Sequence, residues 1–182
     1  MSLSEKWINT IFSIATGSKL RRNLMTPVGF IFFLCFTIGL ILISYYLDKI
    51  LKFKEFISTP LDLILGLILL LPGVLLAGSC IFYFLKTKGT PVPLNPPPKL
   101  ITDGPYAYSR NPMITGLILI FFGIGVLHNS ISLTFIISPI FAILNYFELK
   151  NIEEPEIEKR FGNEYLEYKK NVPMFFPKMK RQ

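Results

Sequence analysis

A short polar stretch, residues 104–116, holds residues whose types and spacing could do chemistry. It reads Gly-Pro-Tyr-Ala-Tyr-Ser-Arg-Asn-Pro-Met-Ile-Thr-Gly and runs into an apolar segment, Met113 to Leu127. Polar groups at the mouth of a membrane helix usually serve a site, because the bilayer gives them no other partner. We therefore predict that this stretch forms one half of a cofactor pocket.

Glu153 and Glu154 are the second group of residues that could do chemistry. They open a charged segment, 153–170, for which a 3.6-residue period predicts a helix with one apolar face. That face carries Ile157, Phe161, Tyr165 and Tyr168, with Glu153 one turn before them. A carboxylate on a buried face requires a partner, so we predict that this helix forms the other half of the pocket.

These residues suit a zwitterionic or cationic ligand that carries an adenine-like ring. A carboxylate can pair with an ammonium or sulfonium group, an arginine or free helix amides can bind a carboxylate, and aromatic faces can hold a cation. Each residue also has a structural explanation, since Arg110 could anchor a helix end and the two glutamates could oppose a helix dipole. The set comprises Tyr106, Tyr108, Arg110, Asn111, Lys150, Glu153 and Glu154.

Other site chemistries lack their motifs in this sequence. It has no P-loop, no Gly-x-Gly-x-x-Gly after a strand and no His-Glu-x-x-His. Cys35 and Cys80 fall inside apolar runs, and the single histidine, His128, lies in a predicted loop tip. We therefore expect neither a disulfide nor a metal site.

Long apolar runs must position the polar residues. Hydrophobic residues make up 51% of the 182, and the mean hydropathy is +0.49. Because about twenty apolar residues cross a bilayer, the predicted fold is all-α, a polytopic membrane helical bundle with about four to five transmembrane helices. The runs cover 27–47, 60–85, 112–127 and 130–147.

The remaining segments connect these spans. An amphipathic pattern in 4–16 predicts an interfacial helix, and five prolines make 86–103 an extended loop. The last two runs predict a C-terminal helical hairpin, followed by a separate cytosolic helix that begins near Pro155 and by an apolar strap, 172–177. We divide the chain into an N-terminal segment, two transmembrane helices and a cofactor-binding region, at 1–26, 27–85 and 86–182.

The distribution of positive charge predicts the orientation of the chain. Sixteen of the 19 lysines and arginines fall in the segments that would share one side of the membrane. The positive-inside rule then predicts that both termini and the site are cytosolic. The net charge of +7 flanks apolar spans, so we expect it to meet membrane lipids, not nucleic acid.

Two stretches resemble motifs of the isoprenylcysteine carboxyl methyltransferase and phospholipid methyltransferase family of integral membrane enzymes. Residues 104–113 are similar to the family's Gly-x-Tyr-x-x-x-Arg-His/Asn-Pro. Residues 153–173 are similar to its Glu-Glu-x-x-Leu-x-x-x-Phe-Gly-x-x-Tyr-x-x-Tyr-x-x-x-Val-Pro. The resemblance covers about residues 86–178 and implies S-adenosylmethionine as the methyl donor and a lipophilic acceptor entering from the bilayer.

The resemblance also implies which residues bind the cofactor. Arg110 and Glu154 belong to the matched motifs, and we predict that both bind the cofactor and that Lys150 binds the substrate. Methyl transfer needs positioning more than an acid or base, and the lack of an obvious base favours a carboxylate acceptor and hence a carboxyl O-methyltransferase. The implied cofactor contacts are Lys99, Leu100, Ile101, Tyr106, Asn111, Pro112, Met113, Ile114 and Glu153.

Two alternatives stay open, and three departures from the family pattern motivate the second of them. Asn111 stands where histidine is commoner, Ile114 where tyrosine is frequent, and Leu149 where the prenylcysteine enzymes carry an arginine. One alternative is a membrane reductase of the sterol-reductase-like group, which would use a nicotinamide cofactor. The other is a non-catalytic membrane protein with a degenerate cofactor pocket.

Overall fold

The computed structural model describes residues 3–175, which contain helices and connecting loops and no strand. The all-α prediction is therefore confirmed. A 3₁₀ turn, Gly104–Ala107, lies between the third and fourth helices. The helices are α1 Leu3–Ala15, α2 Lys19–Leu51, α3 Leu61–Lys86, α4 Pro112–Leu127, α5 Ser132–Phe161 and α6 Asn163–Asn171.

Three of these helices, α2, α3 and α5, are long and apolar enough to cross a membrane. The fourth apolar helix, α4, has 16 residues and is shorter than a usual span. Side chains such as Phe32 on α2 and Leu75 on α3 are each 72% exposed in the isolated chain. Exposing so much apolar surface to water is unfavourable, so these helices require lipid tails as their surroundings.

The described residues form two compact units. The first combines the described parts of Met1–Phe32, Ser79–Pro112 and Tyr146–Gln182, and the second combines Phe33–Gly78 and Met113–Asn145. Every side-chain contact reported below for the site lies within the first unit.

The second unit contains the predicted hairpin and a small apolar core. That core is built from Phe121 on α4 and Leu133, Ile137 and Phe141 on α5. The hairpin turn is fixed by Asn129, whose side-chain oxygen accepts hydrogen bonds from the backbone amides of Phe56 and Ile57. The four apolar residues and the turn position the two arms of the hairpin.

The C-terminal part of the chain differs from the prediction of one separate helix over 153–170. Helix α5 continues without a break from Ser132 to Phe161, through a wide π-helical turn at Leu149–Glu153. Pro155 lacks an amide hydrogen, and we attribute the unbroken helix to this wide turn, which changes the hydrogen-bond pattern just before it. Gly162, with φ of +55°, then separates α5 from α6. Glu153 therefore lies inside a long helix and not in a first turn.

The predicted strap, 172–177, is only partly visible. Val172 has extended backbone, with φ of −115° and ψ of 127°. Phe176 and Pro177 lie outside the described residues, as does the basic segment after them.

Candidate functional site

The turn after the Pro-rich loop begins at a position that strongly favours glycine. Gly104 has φ of +59°, and a β-carbon built there would lie 2.2 Å from the ring of Tyr83. Both the backbone conformation and the lack of space disfavour a larger side chain. Pro105 follows within the 3₁₀ turn, and the turn places Tyr106 within the first unit.

Tyr106 is buried beneath the turn. Its ring meets Phe84 of α3 edge to face, with 5.9 Å between the centroids, and its hydroxyl is a hydrogen-bonding neighbour of Cys80. Burial raises the pKa of the Tyr106 phenol above its usual range. The phenol therefore stays protonated and offers a polar, uncharged group.

Arg110 joins the turn to two later segments. Its Nε and Nη2 donate to Glu154 Oε1 at 2.9 and 2.6 Å. Its Nη1 donates to the carbonyl oxygens of Lys169 and Val172 at 3.2 and 2.6 Å. Since the Arg110 side chain is only 11% exposed, these are charge-assisted bonds in a shielded place, where they are strongest.

The backbone around Arg110 is attached to the same C-terminal segment. The amides of Arg110 and Asn111 donate to the carbonyl oxygens of Pro173 and Met174 at 2.9 and 3.1 Å. The hydroxyl of Ser109 also donates to the Met174 carbonyl oxygen at 3.0 Å. The turn and the segment 173–174 thus form one hydrogen-bonded layer.

Glu154 and Glu156, two of the glutamates near this layer, are neutralised by protein cations. Oε1 of Glu154 meets Arg110, and its Oε2 lies 3.0 Å from Lys169 Nζ. Glu156 pairs with Arg160 at 2.8 Å. Both carboxylates are nearly fully buried, so their partners compensate the cost of removing them from water.

Glu153 differs from these paired glutamates. It is half-buried, and no lysine or arginine among the described residues lies at ion-pair distance from it. Its electrostatic neighbours are the carboxyl groups of Glu148, Glu154 and Glu156 and the guanidinium of Arg160. A half-buried carboxylate beside a second carboxylate favours the arrival of a cation.

The other predicted residues are distributed as follows. Ile101 and Pro112 are buried, whereas Lys99 is exposed and Leu100 half-buried. Lys150 is exposed, and its Nζ lies 5.6 Å from the ring centroid of Tyr146. Met113 and Ile114 follow Pro112 in the first turn of α4 and belong to the second unit.

Two residues beside this layer make contacts that the sequence does not predict. Lys169 supplies the second cation for Glu154, and the Tyr168 hydroxyl donates to the carbonyl oxygen of Tyr106 at 2.7 Å. Tyr168 lies on the predicted apolar face. That pattern predicts a buried ring but no hydrogen-bond partner for the hydroxyl. Nothing in the sequence distinguishes Lys169 from Lys170.

A comparison with protein families matches residues 61–164, more than half of the chain, to the phospholipid methyltransferase family. No curated protein and no solved structure matches the chain. The matched range includes the turn, Arg110 and the glutamates of α5.

Proposed function

The chain belongs to the phospholipid methyltransferase family, as its motifs predict, and from this premise we propose that it transfers a methyl group from S-adenosylmethionine to a lipophilic acceptor. The family and the three membrane-length helices make it a membrane methyltransferase. The donor, the acceptor and the residues that bind them are our proposal.

The proposal is supported mainly by Glu153, which has no lysine or arginine at ion-pair distance among the described residues. S-adenosylmethionine brings a sulfonium-bound methyl group together with an ammonium and a carboxylate. Glu154 and Glu156 have lysine or arginine partners, so they are less suited to bind the ammonium. Glu153, supported by Glu148, is the carboxylate whose surroundings fit that cation.

The neighbouring residues have complementary tasks. Tyr106 and the backbone of Lys99, Leu100 and Ile101 would flank the cofactor. Asn111 and Pro112, which lie at the N-terminal end of α4 within the first unit, would also contact the cofactor. Arg110 and Glu154 hold these pieces together, because their polar atoms already bind protein groups.

The acceptor is proposed from chemistry and from the membrane setting. It would enter laterally from the bilayer, and Lys150 would contact it. None of the site residues is an evident base, which favours an acceptor that is already a nucleophile, such as a carboxylate. A carboxyl O-methyltransferase acting on an isoprenylcysteine-like compound or another lipid fits this requirement. The excess of positive charge beside the site supports a cytosolic location for it.

The test is binding of S-adenosylmethionine to the detergent-purified chain by calorimetry. We expect saturable binding to wild-type protein and a loss of at least about tenfold in affinity for Glu153→Gln, since a hydrogen bond to a charged group contributes about 1.5–3 kcal/mol. Glu164→Gln is the matched control, because Glu164 is an exposed glutamate on α6. It should bind like wild type.

Three outcomes would contradict the proposal. If Glu153→Gln and Glu164→Gln bind alike, Glu153 does not hold the cofactor. Saturable binding of NADPH in place of S-adenosylmethionine would indicate the reductase. Folded wild-type protein that binds neither compound would indicate a non-catalytic membrane protein.

A further inference from the structure

A pocket lies in the first unit, and none of the residues assigned to the cofactor lines it. It has a volume of about 220 Å³ and is bounded by Phe12, Thr16, Arg22, Arg160 and Phe161, together with the Pro-rich loop at Pro96–Pro98. Its walls therefore come from α1, the start of α2, the end of α5 and that loop.

Two guanidinium groups line this pocket, and they differ in whether a carboxylate balances their charge. Arg160 is neutralised by Glu156, 2.8 Å away. Arg22 has no carboxylate at ion-pair distance among the described residues, and its Nη1 reaches only the carbonyl oxygen of Ala15, at 3.4 Å. Among residues 3–175, the pocket thus keeps one positive charge without a carboxylate partner.

Arg22 also contains a buried donor without an acceptor. Its Nε is shielded from solvent and has no hydrogen-bond partner among residues 3–175. Buried donors are nearly always paired, because burying one without an acceptor costs free energy. An anion in the pocket would satisfy both the charge and this donor.

The position of the two arginines narrows the chemistry of that anion. Arg22 lies in the first turn of α2 and Arg160 near the end of α5, and both helices have membrane length. The apolar run of α2 begins five residues after Arg22, so this end of α2 lies at the level of lipid headgroups. The rings of Phe12 and Phe161 add an apolar wall beside the charge, and arginine forks match phosphate oxygens in geometry.

We propose that this pocket binds a phosphate group, carried either by a lipid headgroup or by a free phosphate compound. A phosphodiester has one negative charge and thus matches that positive charge of the pocket. The proposal is independent of methyl transfer, since Glu153, Tyr106 and Arg110 take no part in it.

The experiment titrates the full chain, purified in neutral detergent and freed of lipid, with two probes. One is dihexanoyl phosphatidylglycerol, and the other is inorganic phosphate; chloride at the same ionic strength is the reference. The readout is the shift in melting temperature, fitted as a binding curve. We expect saturation by at least one probe and, for Arg22→Gln, a dissociation constant raised by about tenfold or more.

Arg21→Gln is the matched control, because Arg21 is the exposed neighbour and the same charge is lost. It should bind as wild type does. If Arg22→Gln does not fold, Arg22→Lys replaces it, since lysine keeps the charge but not the fork, and a severalfold loss is expected.

The outcomes separate the two sources of phosphate. Saturation by the lipid alone identifies a headgroup, and saturation by inorganic phosphate as well identifies a site open to soluble compounds. Equal weakening by Arg21→Gln and the Arg22 variant would overturn the proposal, because the effect would then be diffuse surface charge. A wild-type chain that responds to neither probe beyond chloride would also overturn it.

Discussion

Replacing Arg110 by alanine should destabilise the protein by about 2–4 kcal/mol. The guanidinium makes four hydrogen bonds, two to Glu154 and two to backbone carbonyls. Removing one partner of a buried ion pair costs about 3–5 kcal/mol. Lys169 remains 3.0 Å from the other oxygen of Glu154, and its charge reduces that cost.

Thermal unfolding of the detergent-purified chain, followed by circular dichroism, measures this effect. For a chain of this length each kcal/mol corresponds to about 2–4 °C, so the melting temperature should fall by roughly 4–16 °C. Arg110→Lys should lose part of that amount, because lysine replaces a planar fork with a point charge. Lys170→Ala removes an exposed charge from α6 and should change the melting temperature by less than about 2 °C.

A double-mutant cycle with Glu154→Gln isolates the pair itself. Residues that share a buried bond give non-additive effects of about 0.5–3 kcal/mol. If the double variant shows the plain sum of the two single effects, the reasoning is refuted. It is equally refuted if Arg110→Ala melts within about 2 °C of the wild type.

Three further substitutions can be read by the same unfolding measurement. Gly104→Ala should cost about 1–3 kcal/mol, because its φ is +59° and the new β-carbon would meet Tyr83; Gly78→Ala, where the β-carbon meets nothing within 4 Å, should be neutral or stabilising, and equal effects would contradict the argument. Tyr168→Phe should cost about 1 kcal/mol through loss of its 2.7 Å hydrogen bond, and an unchanged melting temperature would show that water replaces that bond. Asn129→Gly keeps a residue suited to φ of +51° but removes the acceptor for two loop amides, so a loss of about 1–3 kcal/mol is expected and a gain would be contrary.

The membrane helices could be predicted from the sequence because their signal is local. Long uncharged runs can only be helices in a bilayer. The predicted span 27–47 falls inside the observed α2, and the predicted span 60–85 agrees with α3 to within one residue at each end. The sequence signal for the hairpin turn at His128 and Asn129 is local in the same way. The continuity of α5 was missed because Pro155 and the charges around it signal a helix start, whereas the π-helical turn before it leaves no mark in the sequence.

The site could be predicted only as a set of residue types. The sequence predicts that Arg110, Glu153 and Glu154 contribute to one site. It does not predict with which of the two carboxylates Arg110 forms an ion pair. That choice depends on contacts between residues 44 positions apart. The pocket at Arg22 could not be predicted for the same reason, since three segments far apart in the chain form its walls.

The bond between Arg110 and the Val172 carbonyl has a consequence for biosynthesis. The two residues are 62 positions apart, so at about 5–20 residues per second the ribosome makes the second about 3–12 s after the first. During that interval the guanidinium and the amides of the turn lack their acceptors, although α2 and α3 have already been made. Synthesis of α2 and α3 and completion of the site are therefore separate events in time. A newly made chain could have α2 and α3 in the membrane, and be visible to the cell's quality control, before its site exists.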